Sequence, residues 1–420
     1  IFDTHPGVRF TYLNEEHKFD YLRNIMIQTQ NNYSYPDINY GNISQKIINY
    51  YNYTNLHKTE TTLFSYTTAG SWCPNKVEEI NIIHSMPGSS DIIKKRNFEY
   101  YTSGENIGLL QKVIINSNLQ NPVIYTYDSF DQFGNLTKLS ISGNDFDSRI
   151  TEFEYDEFGR YPIKAVNTLR HETLFEYEPL FGNIIKQTDI KGLVTSFQYD
   201  GFGRKRLENR PDGTCKEINY NWSDIFTTST YQISEISSGN GYINKFFDKI
   251  GQQVGIEYQD FHGNNVYTSF EYNNYGQLTR KSEPALGFPD SESIKWEQYS
   301  YDVFNRLNRI TSPVKDISYL YSANSVTVTD NKIDKKIVYY YDASGNLSAI
   351  SEVPDNQICY SYDAEGKLIS TQVNQATYLN TYDDYGFPSS YWDMSVGLIE
   401  YEYNSIGNLI KKTDSKGFIF

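Results

Sequence analysis

Six histidines (His5, His17, His57, His84, His171 and His262) and three cysteines (Cys73, Cys215 and Cys359) have the widest chemical repertoire in this sequence. Zinc and redox sites need such residues a few positions apart, and none are. The spacing predicts exposed strand or turn histidines and three unpaired thiols, with one chance disulfide as the alternative. Acyl transfer needs a fixed nucleophile, and no GxSxG elbow supplies one. Glycoside hydrolysis needs two carboxylates at a set separation with their pKa values pushed apart, whereas pairs such as Asp383-Asp384 fall in turns. Asn144, Asp145 and Asp147, beside Gly143, could offer oxygens to calcium. They lack the glycine and distal glutamate of an ion-wrapping loop, which predicts an Asx-rich turn. Arg204-Lys205-Arg206 follows a turn glycine, where successive residues face opposite sides, and reads as a solvated position. The sequons Asn135-Leu136-Thr137 and Asn346-Leu347-Ser348 arise from a recurring Gly-Asn-Leu. No catalytic residue, cofactor or metal is therefore expected, and the protein is not expected to be an enzyme. A hydrolytic site in the less regular stretch 214–250 is the one enzymatic reading left.

What recurs is a structural phrase. FEYDEFGR at 153–160 returns as FQYDGFGR (197–204), FEYNNYGQL (270–278), YYYDASGNL (339–347), YSYDAEGKL (360–368) and YEYNSIGNL (401–409). Recurrence at a near-fixed period marks a repeat architecture. In each copy aromatics two apart share one face of a strand. An Asp or Asn then favours a turn by bonding backbone N–H groups two residues on. A glycine supplies the positive φ a short hairpin loop needs near its end. The residues expected to build these corners are Tyr155, Asp156 and Gly159; Tyr199, Asp200 and Gly203; Tyr272 and Gly276; Tyr301 and Asp302; Tyr341, Asp342 and Gly345; Tyr362, Asp363 and Gly366; Tyr382, Asp383 and Gly386; and Tyr403 and Gly407. Two variants keep the turn: Tyr177-Glu178-Pro179-Leu180-Phe181-Gly182 has one extra residue, and Asn305 stands where a glycine would, after Asp302.

The return strand has its own exit turn. GNIIKQTDIKG (182–192) and GNLIKKTDSKG (407–417) agree at eight of eleven positions, both ending in Thr-Asp-x-Lys-Gly. From Gly345 through Gly366 and Gly386 to Gly407 the spacings are 21, 20 and 21 residues, enough for two strands and two turns. The expectation is an all-β array of antiparallel hairpins forming a curved ribbon. Residues 121–420 read as the clean array and 1–120 as a degenerate strand region continuous with it. Within the latter, Tyr40-Gly41-Asn42-Ile43 and the runs 47–53 and 61–66 follow the same logic, while Leu13 to Met26 could be helix or hairpin. The absence of a Pro/Ser-rich linker predicts one continuous body. A start at Ile1 without Met and a last strand cut off at Phe420 predict an excerpt of a longer polypeptide.

Composition points to how such a ribbon is held. Apolar residues, with tyrosine left out and glycine included, are about 35%, against about 45–50% for an average globular chain. Tyrosine, in contrast, occurs 39 times against four tryptophans. That supply suits a broad sheet, wet on at least one face, in which rings stack across strands. The net charge of −15 and pI near 4.9 repel phosphate backbones and anionic lipid heads, so no nucleic-acid partner is expected. No apolar run approaches the roughly 18 residues needed to span a bilayer.

The tyrosine–aspartate pairs at Tyr155-Asp156, Tyr199-Asp200, Tyr301-Asp302, Tyr341-Asp342, Tyr362-Asp363 and Tyr382-Asp383 resemble those of the YD-repeat, or Rhs, proteins. The likeness covers 121–420 well and 1–120 weakly. Trp72-Cys73-Pro74-Asn75-Lys76-Val77 and Gly108-Leu109-Leu110 look like spacers of the toxin-complex and plasmid-virulence branch. The resemblance implies a ribbon spiralling into a hollow β-shell. In bacterial toxin complexes and Rhs effectors that shell encloses a C-terminal toxin, and in animal teneurins a similar shell takes part in adhesion. It further implies a secreted or cell-surface location. The implied partners are the rest of the same polypeptide, including a C-terminal toxin or effector, and other secretion or toxin-complex subunits. The family's self-cleavage motif, DPxGxxDG, is absent; Asp212-Gly213, the nearest dipeptide, reads as a turn. The expected function is thus a structural, non-catalytic shell segment that encapsulates a toxin, with a glycan- or cell-surface-binding adhesion module as the alternative.

Overall fold

In the computed structural model, which describes residues 2–5, 8–10, 13–20, 25–33, 42–52, 54–69, 73–239, 241–287, 294–352 and 356–419, the chain is a succession of antiparallel strands. Each described ladder pairs a strand with its neighbours in sequence, from Glu15–Asp20 with Ile25–Tyr33 to Gly397–Tyr403 with Leu409–Thr413. The departures surround the short Ala285–Leu286, which pairs back onto Asn265–Tyr272 while Leu278–Ser282 pairs directly with Trp296–Tyr301. Among the described pairings none returns from a late strand to an early one, so these pairings make an open ribbon. The stretch Leu13–Met26 contributes two hairpin arms, with Glu15 opposite Gln30 and Asp20 opposite Ile25. Tyr40, Gly41 and Trp72 lie outside the described residues, as do the side chains of Cys73 and His5.

The corner is a local solution repeated along the ribbon. At Asp200 the N–H of Gly203 donates to Asp200 O (3.0 Å) and the N–H of Asp200 to Arg204 O (2.9 Å). The register slips by one residue between Gln198 and Tyr199, which places the motif tyrosine at a β-bulge. The same slip precedes Tyr177, Tyr272, Tyr301, Tyr341, Tyr362, Tyr382 and Tyr403. Gly203 takes φ 76°, and a Cβ there would lie 3.0 Å from the Phe181 ring of the preceding corner. It is thus both a left-handed residue and a seat for its neighbour. Where asparagine replaces glycine, Asn305 adopts φ 64°. In the six-residue variant a longer acid matches the longer loop, because Glu178 accepts from the N–H groups of Leu180 (2.8 Å) and Phe181 (2.6 Å).

Packing divides the chain into two compact units: Ile1–Glu152 with Tyr321–Val328 and Lys336–Phe420, and Phe153–Leu320 with Thr329–Lys335. Neither shows a filled two-layer core among its described residues. Among the described residues the buried hydrophobic side chains number eleven, four of them alanines. One buried apolar cluster lies in the second unit, within the irregular stretch noted above and just beyond it. The loop 223–230 folds Phe226 over Gly255, its ring 4.9 Å from Phe246 and 6.5 Å from Tyr267, with Val254 completing the group. The irregularity of 214–250 is therefore a packing loop. No helix of the described residues is long and apolar enough to cross a membrane.

Two glycines of one corner separate the constraints. Gly203→Ala forces a Cβ into a positive-φ position and against Phe181, and should cost more than about 1 kcal/mol. Gly201→Ala, with nothing within 4 Å of the new Cβ, should be neutral or stabilising by up to about 1 kcal/mol. Urea titration of the two variants checks this ordering, and equal losses would remove the left-handed seat as the constraint.

Candidate functional site

The side chains that recur at fixed positions are those of the corners. Each motif Asp or Asn turns Oδ1 into its own loop: Asp200 accepts from the N–H groups of Phe202 (2.9 Å) and Arg204 (3.0 Å), and Asp302 from Phe304 and Arg306 (2.9 Å each). Asp156 accepts from Arg160 and Tyr161, Asp342 from Ser344 and Asn346, Asp363 from Lys367, and Asp383 from Phe387. Asn273 and Asn404 do the same with an amide oxygen, which is why the motif tolerates asparagine. The glycines Gly159, Gly203, Gly276, Gly345, Gly366, Gly386 and Gly407 take φ between 65° and 94°. Partial burial alone would raise the carboxyl pKa of Asp156, Asp200 and Asp302. The backbone N–H donors and the adjoining Arg160, Arg204 and Arg306 outweigh it and hold all three below the usual carboxylate value.

The tyrosines tie one hairpin to the previous one. Tyr199 Oη donates to Ile184 O (2.8 Å), Tyr177 to Pro162 O (3.0 Å), and Tyr272 to Gln253 O (2.9 Å). Tyr301 donates to Leu278 O (2.8 Å), Tyr362 to Leu347 O (2.8 Å), and Tyr382 to Leu368 O (2.9 Å). In each case the acceptor is the first residue of the preceding return strand. The first 120 residues, whose motifs are degenerate, repeat the bond at Tyr66 to Ile43 O (2.7 Å) and Tyr100 to Val77 O (2.9 Å). Tyr155 ends the strand Arg149–Tyr155; Tyr341 donates its N–H to Asn324 O (2.8 Å); Tyr403 packs 5.6 Å from Phe387. Burial raises the pKa of Tyr177, Tyr199, Tyr272, Tyr301 and Tyr362, keeping these hydroxyls as donors.

In the first unit the late corners dock on early turns. Ser405 donates its N–H and its hydroxyl to the two carboxylate oxygens of Asp145 (2.8 and 2.6 Å), across 260 residues of sequence. The N–H of Asn121 donates to Tyr385 Oη (3.1 Å), and Lys94 Nζ to Asp384 O (2.8 Å), across 264 and 290 residues. Lys94 lies 3.8 Å from Glu365, and His57 Nε2 lies 3.4 Å from Asp342 Oδ2, longer than a good hydrogen bond. The early partners sit at or beside exit turns and the late ones are YD corners, so the seam joins one edge of the ribbon to the opposite edge. Corner residues on it are small and buried: Ala343 is 3% exposed, Ala364 1% and Ser405 5%. A cleft of about 640 Å³ opens at the seam, walled by Asp91, Asn118, Glu365, Lys367, Tyr382 and Asp384. The Asx cluster at 144–147 thus supplies a latch through Asp145.

The remaining chemical candidates lie apart. His17 contacts Glu15 (2.6 Å), His84 lies 3.6 Å from Glu60, and His171 and His262 sit in turns. Cys215 and Cys359 are free thiols, Cys215 Sγ lying 3.2 Å from Ser238 Oγ. Arg204 pairs with Asp200 and lies over Tyr220 at 4.0 Å. The sequon amides of Asn135 and Asn346 are bonded to Asp131 and Asp342. Among the described residues no group of three or more His, Cys, Asp or Glu is placed to hold a metal ion. Sequence reasoning missed Glu257, a buried carboxylate. It accepts from Tyr267 (2.7 Å), Asn244 (2.8 Å), Tyr242 (3.0 Å) and Asn265 (3.0 Å) on the two flanking strands. Burial, together with the Glu257 carboxylate, pushes Tyr242 up to about 12. Only register brings these five together, so no spacing in the sequence announces them.

Residues 180–214 match the RHS Repeat family model. No curated protein matches the sequence. Among solved structures, the crystal structure of TcdB2-TccC3 is similar over 96% of this chain with a TM-score of 0.68 at 10% identity. TcdB2-TccC3-TEV is similar over 94% (TM-score 0.62, 11% identity). The Photorhabdus luminescens Tc holotoxin pore with a TccC3 mutation is similar over 93% (TM-score 0.53, 14% identity). The chain spans 29%, 28% and 24% of those chains. At such identities the likeness is one of fold. The resemblance to YD-repeat proteins therefore holds at two levels, an RHS repeat in the sequence and a shared β-ribbon fold.

Two measurements probe corner and seam. Carboxylates held below their unfolded pKa stabilise the fold above that value, and the contribution disappears as pH falls through the folded one. Asp156→Asn, Asp200→Asn and Asp302→Asn combined should therefore lower the melting temperature at pH 7 and leave it unchanged near pH 2; a gap that persists in acid would refute the charge term. Asp145→Ala removes both bonds to Ser405, a loss of about 1–2 kcal/mol locally. Amide exchange at 404–408 should accelerate roughly ten- to thirty-fold, and unaltered exchange would show that Asp145 is not the latch.

Proposed function

We propose that this chain is a structural, non-catalytic length of wall in a secreted or surface-delivered Rhs-type protein, whose β-shell encloses a C-terminal toxin or effector. The observation that carries the reading is the seam, where corners dock on turns 260 to 290 residues earlier, edge to opposite edge. A ribbon that stacks on itself in this sense builds a wall. The fold likeness to TcdB2-TccC3 supports the same assignment, as does a sheet held by hydroxyl-to-carbonyl ties instead of a filled core. The corners Tyr155 to Gly159 through Tyr403 to Gly407 are then wall joints, and no reaction is assigned to them. Other subunits of a toxin complex are the partners this reading calls for.

The test uses the full-length protein. A polypeptide following the repeats should resist protease at concentrations that digest it when expressed alone, and Asp145→Ala with Lys94→Ala should speed its cleavage at least ten-fold. A segment digested at the free rate, with glycan-array binding that disappears in Trp222→Ala, would overturn encapsulation in favour of adhesion; Trp222, 85% exposed, offers a sugar-stacking face.

A further inference from the structure

Two imidazoles of the first unit are buried beside a carboxylate without bonding it. His57 Nε2 and His84 Nδ1 are both shielded from solvent and have no hydrogen-bond partner. His57 Nε2 stands 3.4 Å from Asp342 Oδ2, and His84 Nδ1 3.6 Å from Glu60 Oε2. Both separations exceed the roughly 2.7–3.2 Å of an N–H···O bond. A shielded ring nitrogen left unpaired costs free energy, so each calls for a partner that the protein's own side chains do not supply.

The two places differ in what they join. Glu60 is the direct cross-strand neighbour of His84, so a partner there would link strands that the ladder already links. His57 belongs to the early strand Asn55–Ala69 and Asp342 to a late corner. At that corner the deficit is also double, because the Ser344 hydroxyl, two residues past Asp342, is buried without a partner. The Ser344 N–H donates to Asp342 Oδ1 (2.8 Å), as does the N–H of Asn346 (2.9 Å). Oδ2 receives one bond, from Asn346 Nδ2 (3.1 Å), and keeps a lone pair for another. The His57 side chain is 27% exposed and that of Asp342 12%, so the pair is sheltered but reachable from solvent.

The separation itself identifies the partner. Nitrogen and oxygen ligands about 2.0–2.1 Å from a tetrahedral cation lie about 3.3–3.4 Å from each other, and His57 Nε2 and Asp342 Oδ2 already stand at that spacing. An imidazole nitrogen together with a carboxylate oxygen suits a zinc-class ion, whereas calcium and magnesium take oxygen alone. The Asn346 amide on Oδ2 is the outer bond that orients a ligating carboxylate. We propose that His57 Nε2 and Asp342 Oδ2 are the two protein ligands of an exchangeable site for a zinc-class divalent cation, with water completing its shell. Among the described residues no third His, Cys, Asp or Glu is placed to join them. The site is therefore weaker than a closed structural zinc centre, and its cation exchanges with solvent. Bound there, the cation staples the early strand to the late corner and stabilises the fold by mass action. This holds whether or not the wall encloses a cargo.

Zinc titration of the full-length protein, first stripped with chelator, tests it by calorimetry and melting temperature. Zn²⁺ should bind saturably and raise the melting temperature. His57→Gln should remove that rise and weaken the binding at least ten-fold, yet melt with the wild type in chelator, since the Nε2 it loses bonds nothing. Asp342→Asn keeps the turn, as Asn273 and Asn404 do at their corners, and should weaken binding to the same degree. His84→Gln should change neither readout. No saturable Zn²⁺ effect, a Zn²⁺-dependent rise that survives in His57→Gln or Asp342→Asn, or one lost only in His84→Gln would overturn the site.

Discussion

Everything in this ribbon depends on a tyrosine hydroxyl reaching back across one hairpin to the carbonyl that opens the previous return strand. With so few buried hydrophobic side chains, the sheet lacks the area term that stabilises most domains of this size. A single neutral hydrogen bond contributes only about 1 kcal/mol. The bond recurs from Tyr66 to Tyr382, however, and each copy fixes the distance between adjacent corners. Phenylalanine would keep the ring and lose the tie. That distinction accounts for tyrosine at the motif position.

The corner makes the tie possible. The bulge before the motif tyrosines from Tyr177 to Tyr403 turns the ring toward the neighbouring hairpin, and the Asx loop with its left-handed residue returns the chain in register. The exceptions follow the same physics: Glu178 spans a loop one residue longer, and Asn305 tolerates the positive φ. Although burial pulls the other way, Asp131 is held below the usual carboxylate value by the Asn135 amide and backbone N–H groups with no cation beside it, so a corner can gain from charge without a partner for its acid. The net charge of −15 is consistent with that economy of cations.

Two features depart from the repeat, each for a packing reason. The loop 223–230 gives up regularity to seat Phe226 on Gly255, placing there the one buried apolar cluster among the described residues. Beside it, Glu257 is buried among four neutral donors, which satisfy a carboxylate well enough to keep it inside. Both are local reinforcements of one stretch of wall.

The corners were legible in the sequence because their determinants are local. Asp200, Gly203 and Tyr199 lie within five residues, and turn chemistry operates over that range. The same holds for the Asn305 and Glu178 variants and for the Asp212-Gly213 turn. Three features were not legible. The tyrosine ties join Tyr199 to Ile184, the Glu257 cage joins three strands, and the seam joins Asp145 to Ser405 across 260 residues. Each is fixed by where paired strands bring their ends, and a hydrogen bond to a backbone carbonyl leaves no residue type at the acceptor for a sequence to display. The sequence by itself determined the hairpins and their corners. Only the tertiary structure decided which corners are covered and which stand open, because edge-to-edge docking depends on how far the ribbon has travelled before it meets itself.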